Sequence, residues 1–157
     1  AAEKDRLPSL RLAHLRDLAQ GKHVVFEHDA SDLDLVDRYR RAAVSVLPSV
    51  ATDYRGGVTE HPELFGLAAA EAMACGTATV VTDVASLPEV VADGETGFVV
   101  SPDHPEALAQ RLRQLCQDPA LAAAMGAAAR RRVLDRFTWH ATADRCFAAY
   151  AHAAKRR

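Results

Sequence analysis

The sequence predicts one α/β domain whose parallel β-sheet is covered by helices on both faces. Short apolar runs alternate with longer segments of helical periodicity along the chain, and this alternation is typical of a doubly wound sheet. A length of 157 residues suits one domain with its own core. We therefore treat residues 1–157 as a single domain, with the helices beyond about residue 120 as its C-terminal part.

The elements follow one another in a regular order. Strands are predicted from apolar, β-branched runs at 23–26, 43–47, 78–82 and 96–100. Helices are predicted from apolar spacing and capping residues over 7–20, from Ser31 through Tyr39, from Pro62 to Cys75, and over 87–92, 105–117, 120–136 and 139–153. Four strands are fewer than a complete Rossmann-like half usually carries. Residues 49–61 form the longest irregular segment.

Composition excludes several classes of function. Nineteen basic and 21 acidic residues give a net charge of -2, which argues against nonspecific binding to nucleic acid. Three dispersed cysteines suggest neither a disulfide framework nor a zinc site. They fit a reducing compartment, so we expect a cytoplasmic protein, peripheral to a membrane at most. No apolar run approaches the roughly 20 residues of a transmembrane helix.

Glu71 is the most informative residue of the chain. All residues from Leu64 to Cys75 except Glu71 are apolar or glycine. A helix that is apolar all round is expected to be buried. A carboxylate within it is costly unless something satisfies it, and no lysine or arginine lies three or four residues away. A ligand is one candidate partner. Backbone amides or a distant arginine are the other.

Glu63 lies in the predicted first turn of the same helix, where any acid is favoured by the helix dipole. Its separation from Glu71 corresponds to about 12 Å of helical rise. The free amides of a first turn form an anion site, and Gly66 would let a ligand approach the backbone closely. These features predict a ribose at one glutamate, phosphates at the amides and a sugar at the other glutamate.

The segments Pro62–Leu67 and Glu71–Thr77 resemble the Glu-x7-Glu signature of retaining GT-B glycosyltransferases, a group that includes glycogen synthase, sucrose synthase and bacterial mannosyl- and glucosyltransferases. The likeness extends over about residues 23–150, through Thr82–Val84, Leu87–Val91, Asp93–Phe98, Pro105–Leu108 and Arg136–Trp139. It implies the Rossmann-like C-terminal half of a GT-B fold, which binds the nucleotide sugar.

The resemblance also implies residue roles. Glu63 would be the catalytic-site residue that contacts hydroxyls of the donor sugar, and Glu71 would bind the nucleotide ribose. Backbone amides near Phe65, Gly66 and Leu67 would face the sugar and diphosphate. The implied reaction transfers a glycosyl group with retention of anomeric configuration and without a metal or other cofactor. The acceptor would be a sugar, a lipid or another small molecule.

The chain departs from the family pattern in three ways. Its start lacks the Gly-Arg strand and the basic pair that neutralise the diphosphate, and we expect the acceptor-binding N-terminal domain to lie outside these residues. Because diphosphate stabilisation is largely electrostatic, we expect no turnover from these 157 residues alone. Ala78 replaces a usual proline. The pair Ala85–Ser86 replaces two glycines near the sugar pocket.

Two further side chains are candidates for nucleotide contacts. Arg55 could meet a phosphate from the long loop, although a solvated loop arginine is the simpler interpretation. His28 follows a predicted strand at the sheet edge where α/β ligands bind, so it could contact the base or ribose.

Two other functions fit the same residues. A non-catalytic nucleotide or nucleotide-sugar binding module would also bind nucleotide at Glu71. A GT-B phosphorylase or a sugar epimerase would share the fold but explains the residues flanking the two glutamates less well.

Overall fold

The computed structural model describes residues 6–52, 56–59 and 62–155, with side chains from residue 12 onward. The chain divides into two compact units, residues 1–31 and 32–157. In the first unit, helix α1 spans Arg6–Leu18. Residues 23–28 that follow are irregular.

The strand predicted at 23–26 is therefore wrong. Val25 is 82% exposed and Val24 is 50% exposed, and the backbone N–H of Val24 bonds locally to the carbonyl of Lys22. A strand needs a neighbour for its ladder of hydrogen bonds, and this apolar run is not in the described sheet. An apolar run alone does not supply that partner.

The second unit contains the sheet and six helices of the described chain. In chain order they are α2 (Asp32–Arg41), β1 (Ser45–Leu47), α3 (Leu67–Ala74), β2 (Thr79–Thr82), α4 (Leu87–Val90), β3 (Gly97–Val100), α5 (Pro105–Gln117), α6 (Pro119–Arg136) and α7 (Trp139–Ala154). The three strands are parallel in the order β1-β2-β3. Apart from the first strand, every predicted element is present. The largest error is the start of α3, predicted at Pro62.

The sheet has a core on each face. Val81 packs with Met73 of α3 and Leu87 of α4 on one face. Its neighbour Val80 packs with Leu115 of α5 on the other. Successive side chains of a strand point to opposite faces, and all four residues of β2 are buried. The structure thus confirms an α/β domain with helices on both faces of a parallel sheet.

Two threonine hydroxyls hold helix α2 and the loop after β1 against the sheet. Thr82, the last residue of β2, donates its hydroxyl to the carbonyl of Ser49 over 2.6 Å. Thr77, just before β2, donates to the carbonyl of Tyr39 on α2, also over 2.6 Å. These bonds fix α2 and the loop after β1 to the two ends of β2.

Candidate functional site

Glu63 lies at the carboxyl edge of the sheet, where ligands of open α/β sheets bind. The Ser49 hydroxyl, two residues beyond β1, donates to Glu63 Oε2 over 3.5 Å. The Ser49 carbonyl accepts the bond from Thr82 at the end of β2. The turn that contains Glu63 is thereby held against the ends of two adjacent strands.

The other carboxylate oxygen of Glu63 binds its own turn. Oε1 accepts the backbone N–H groups of Leu64 and Gly66 over 3.0 Å each and that of Phe65 over 3.4 Å. The chain wraps around this oxygen before the helix begins, which explains why α3 starts at Leu67 and not at Pro62. Glu63 is therefore not on the helix, and the predicted helical rise of about 12 Å between the glutamates does not apply.

Gly66 sets the start of α3. Its φ of 86° and ψ of 43° are left-handed at the position before the first helical residue, a conformation that costs other L-residues roughly 1–2 kcal/mol. A Cβ on Gly66 would lie 2.6 Å from Cδ2 of Leu87, a fully buried side chain. The backbone conformation therefore favours glycine here, and a Cβ would in addition press on the end of the Leu87 side chain.

Neighbouring elements hold the rest of the turn. The Ser86 hydroxyl donates to the Leu64 carbonyl over 3.0 Å. The Phe65 ring meets Phe137 edge-on at 5.6 Å between centroids. Ala85 has a φ of 49°, a conformation that suits glycine. The Ala85–Ser86 loop therefore adjoins the Glu63 turn. Its position near a sugar pocket stays a prediction.

Helix α3 buries one face and exposes another. Ala69, Ala70, Ala72 and Met73 are buried, whereas Leu67 is 66% exposed and Glu71 is exposed. The prediction of a helix buried all round is wrong, because alanine and leucine also occupy its open face. Glu71 in this structure carries no burial cost that a ligand would have to relieve.

Glu71 faces a cavity of about 280 Å³ between α2 and α3. The lining is mostly apolar and comprises Asp32, Leu35, Val36, Tyr39, Glu71, Ala74 and Cys75. Burial of the phenol, followed by the negative charge of Glu71, raises the pKa of Tyr39. The salt bridges among the described residues join other pairs.

Comparison with known proteins identifies the family. Residues 10–132 match the family described as glycosyl transferases group 1. The chain belongs to this family. The D-inositol 3-phosphate glycosyltransferase of Streptomyces avermitilis is 41% identical over 121 residues, which cover 77% of this chain and 24% of that enzyme. The homologue from Catenulispora acidiphila is 35% identical over 152 residues, or 97% of this chain and 32% of that enzyme.

Solved structures agree on the fold of this group 1 glycosyltransferase chain. The sucrose-phosphate synthase of Thermosynechococcus elongatus aligns with a TM-score of 0.71 and 31% identity over 100% of this chain and 36% of its own. The C-terminal domain of a group 1 family protein from Francisella tularensis aligns with a TM-score of 0.60 and 23% identity over 86% of this chain and 64% of its own. The fold is that of the C-terminal half of a GT-B enzyme, as predicted.

The other predicted contacts have different outcomes. Arg55 lies outside the described residues. His28 is exposed in the first unit, and its contact with a nucleotide stays a prediction. Tyr39 lines the same cavity as Glu71, whereas sequence reasoning gave it no place in the site. The missed signal was its hydroxyl, because a partly buried tyrosine usually needs a polar partner.

Two absences concern only the part of the chain that is described. There, no three or more His, Cys, Asp or Glu side chains are grouped so that they could hold a metal ion. None of the helices is both long and apolar enough to cross a bilayer.

Gly66→Ala should destabilise the fold by about 2–4 kcal/mol, because left-handed strain adds to overpacking against Leu87. Gly76→Ala is the matched control, since Gly76 has a φ of 84° but no atom within 4 Å of an added Cβ. It should cost only about 1–2 kcal/mol. Denaturant unfolding of both variants measures the difference, and equal losses would show that the contact with Leu87 is unimportant.

Ala85→Gly should have the opposite effect on stability to Gly66→Ala. Relief of the left-handed strain at Ala85 should stabilise the chain by about 1 kcal/mol. The same unfolding measurement tests this, with Ala127→Gly on the exposed face of α6 as a control that should destabilise. A loss of stability in Ala85→Gly would contradict the assigned backbone strain.

Proposed function

We propose that this chain is the donor-binding domain of a retaining glycosyltransferase. It binds a nucleoside diphosphate sugar, with the ribose at Glu71 and the transferred sugar at Glu63. The backbone amides of Phe65, Gly66 and Leu67 face the sugar and the diphosphate. The acceptor, a sugar, a lipid or another small molecule, binds on a separate N-terminal domain.

The observation that carries the proposal is the position of Glu71. Glu71 lines a mostly apolar cavity between α2 and α3, one helical turn from the start of α3 at the carboxyl edge of the sheet. A carboxylate accepts hydrogen bonds and donates none, so it suits the two vicinal hydroxyls of a ribose. The apolar lining beside it suits the face of a base.

The turn around Glu63 supports the sugar and phosphate half of the site. Its three backbone N–H groups already bind one anionic oxygen, so the same cluster can bind a phosphate oxygen of like charge. When the donor binds, Glu63 turns from these amides to the hydroxyls of the sugar. One anion then replaces another at the start of α3, and the amides remain satisfied.

Retention and the absence of a metal requirement follow the family resemblance and belong to the proposal. Without a metal, the negative charge that develops on the departing diphosphate must be stabilised by amides, by the N-terminus of α3 and by cations. Arg55 is one candidate cation, and the others would come from parts of the enzyme that these residues do not include. No other cofactor enters the reaction.

Glu71→Ala should weaken nucleoside diphosphate binding by about 1.5–3 kcal/mol, the range for hydrogen bonds to a charged group. Titration calorimetry with UDP, GDP and ADP measures the loss. Glu89→Ala, an exposed glutamate on α4, is the matched control and should bind like the unmodified chain. Equal affinity of the Glu71 variant and the control would remove Glu71 from the site.

Glu63→Ala should weaken binding of the sugar part of the donor and leave binding of its nucleotide part unchanged. The variant should retain affinity for free nucleoside diphosphate but bind the corresponding nucleotide sugar more weakly, because the contacts with sugar hydroxyls are lost. Calorimetry with UDP against UDP-glucose, and GDP against GDP-mannose, checks this. An equal loss for the free diphosphate and its sugar would mean that Glu63 supports the turn and does not contact the sugar.

Transfer should require more protein than this chain. The chain covers 24% and 32% of the two curated relatives described above, and closure of two domains excludes water from such sites. We therefore expect no measurable glycosyl transfer from the 157 residues and recovery of transfer when an acceptor-binding domain is supplied. Robust transfer by the chain alone would contradict this. Nucleotide binding without recovery would favour a non-catalytic binding module.

A further inference from the structure

We propose that Ser49 is a positioning residue for the donor sugar, whose hydroxyl holds the Glu63 carboxylate in place while the diphosphate occupies the amides before α3. This inference rests on the proposed function, because it assigns Glu63 to the sugar. It adds a residue from the loop after β1 to a site otherwise built from α3 and the turn before it.

The backbone of Ser49 is fixed to the sheet. Ser49 follows the end of β1 by two residues and is half-buried. Its carbonyl accepts the hydroxyl of Thr82 over 2.6 Å, and Thr82 is the buried last residue of β2. A buried hydroxyl needs a hydrogen-bond partner, and this carbonyl supplies it. The position of Ser49 is therefore set by two adjacent strands.

The two carboxylate oxygens of Glu63 have different partners. Oε1 accepts the N–H groups of the three residues that follow Glu63, whereas Oε2 accepts the Ser49 hydroxyl over 3.5 Å. That distance is longer than the usual upper limit of about 3.0 Å for a hydrogen bond from a hydroxyl. The three amides hold the carboxylate at this distance, so the bond with Ser49 is the weaker of the two attachments.

The two attachments have different fates when a donor binds. A phosphate oxygen takes the amides in the proposed exchange, which releases Oε1. The Ser49 hydroxyl takes no part in that exchange. The carboxylate can then close on the hydroxyl and form a charge-assisted bond of normal length. One oxygen of Glu63 is thereby held by Ser49, and the other is directed at the hydroxyls of the sugar.

This role concerns the sugar more than the nucleotide. With a free diphosphate, the half-buried Glu63 carboxylate can turn to water after it leaves the amides. With a nucleotide sugar, the sugar fills that space, and the carboxylate must point at its hydroxyls. Fixing a glutamate in one orientation costs side-chain entropy, and the bond from Ser49 offsets part of that cost.

The test measures binding to Ser49→Ala by calorimetry with three ligand pairs: UDP and UDP-glucose, GDP and GDP-mannose, and ADP and ADP-glucose. We expect the affinity for the nucleotide sugar that binds to fall about 3- to 10-fold and the affinity for its free diphosphate to stay the same. Ser49→Thr keeps a hydroxyl and should restore the affinity for the nucleotide sugar. Ser101→Ala, at an exposed serine directly after β3, is the control and should change neither.

A double-mutant cycle with Glu63→Ala separates positioning from other roles of Ser49. If Ser49 acts only through Glu63, Ser49→Ala has no further effect on nucleotide-sugar affinity once Glu63 is alanine. Three results would overturn the inference: additive losses in the cycle, unchanged nucleotide-sugar affinity in Ser49→Ala, or an equal loss for the free diphosphate and its sugar.

Glu63→Ala alone keeps the two proposals apart. If this variant binds nucleotide sugars as well as the unmodified chain does, Glu63 does not contact the sugar and the proposed site fails. If it binds them more weakly while Ser49→Ala does not, only the role of Ser49 fails. Failure of the unmodified chain to bind any of the three pairs would contradict the proposed function itself.

Discussion

The start of helix α3 is the constraint on which the site depends. Gly66 takes a left-handed conformation, and the Glu63 carboxylate collects the three N–H groups before the helix. Together they make Leu67 the first helical residue. Three alanines and Met73 of α3 are buried, and Glu71 lies one helical turn after the start and lines the cavity next to α2. The turn therefore fixes how far the amides at the helix start lie from Glu71.

The same turn explains why the two glutamates differ. Glu63 is fixed by short-range bonds to its own backbone and by the Ser49 hydroxyl at the ends of β1 and β2. Glu71 is exposed and lines the cavity between α2 and α3. The first glutamate can therefore exchange one set of donors for another as a ligand enters. The second presents most of its acceptor capacity to the cavity from the outset.

The sequence was sufficient to predict most of the fold, because its signals were local. Proline and glycine bounded the helices, and β-branched runs marked the three described strands. Helix α5 was predicted at the bounds it has, Pro105–Gln117. The two main errors have other causes: one depends on a partner strand elsewhere in the fold, and the other on a local backbone conformation. The run 23–26 looked like a strand, but apolar composition cannot supply a neighbouring strand. Pro62 looked like a helix start, but Gly66 and the Glu63 carboxylate delayed the helix by five residues.

Prediction of the site had a similar limit. The pattern located both glutamates and the glycine between them, and the family match agrees with the resemblance that gave them roles. The physical reason given for Glu71, a carboxylate stranded in a buried helix, was wrong. Apolar content does not distinguish a buried face from one lined with exposed alanine and leucine. The place of Tyr39 in the lining of this cavity was missed because Tyr39 and Glu71 lie on two helices and are 32 residues apart in sequence.

The central claim is that a nucleoside diphosphate binds in the cavity between α2 and α3. Amide chemical-shift mapping of the chain by NMR, during titration with UDP, GDP and ADP, tests it most directly. The account predicts that at least one of them shifts the amides of Tyr39, Glu71 and Cys75 together with those of Phe65 and Gly66. Saturating shifts confined to another surface, or no shifts with any of the three, would contradict it.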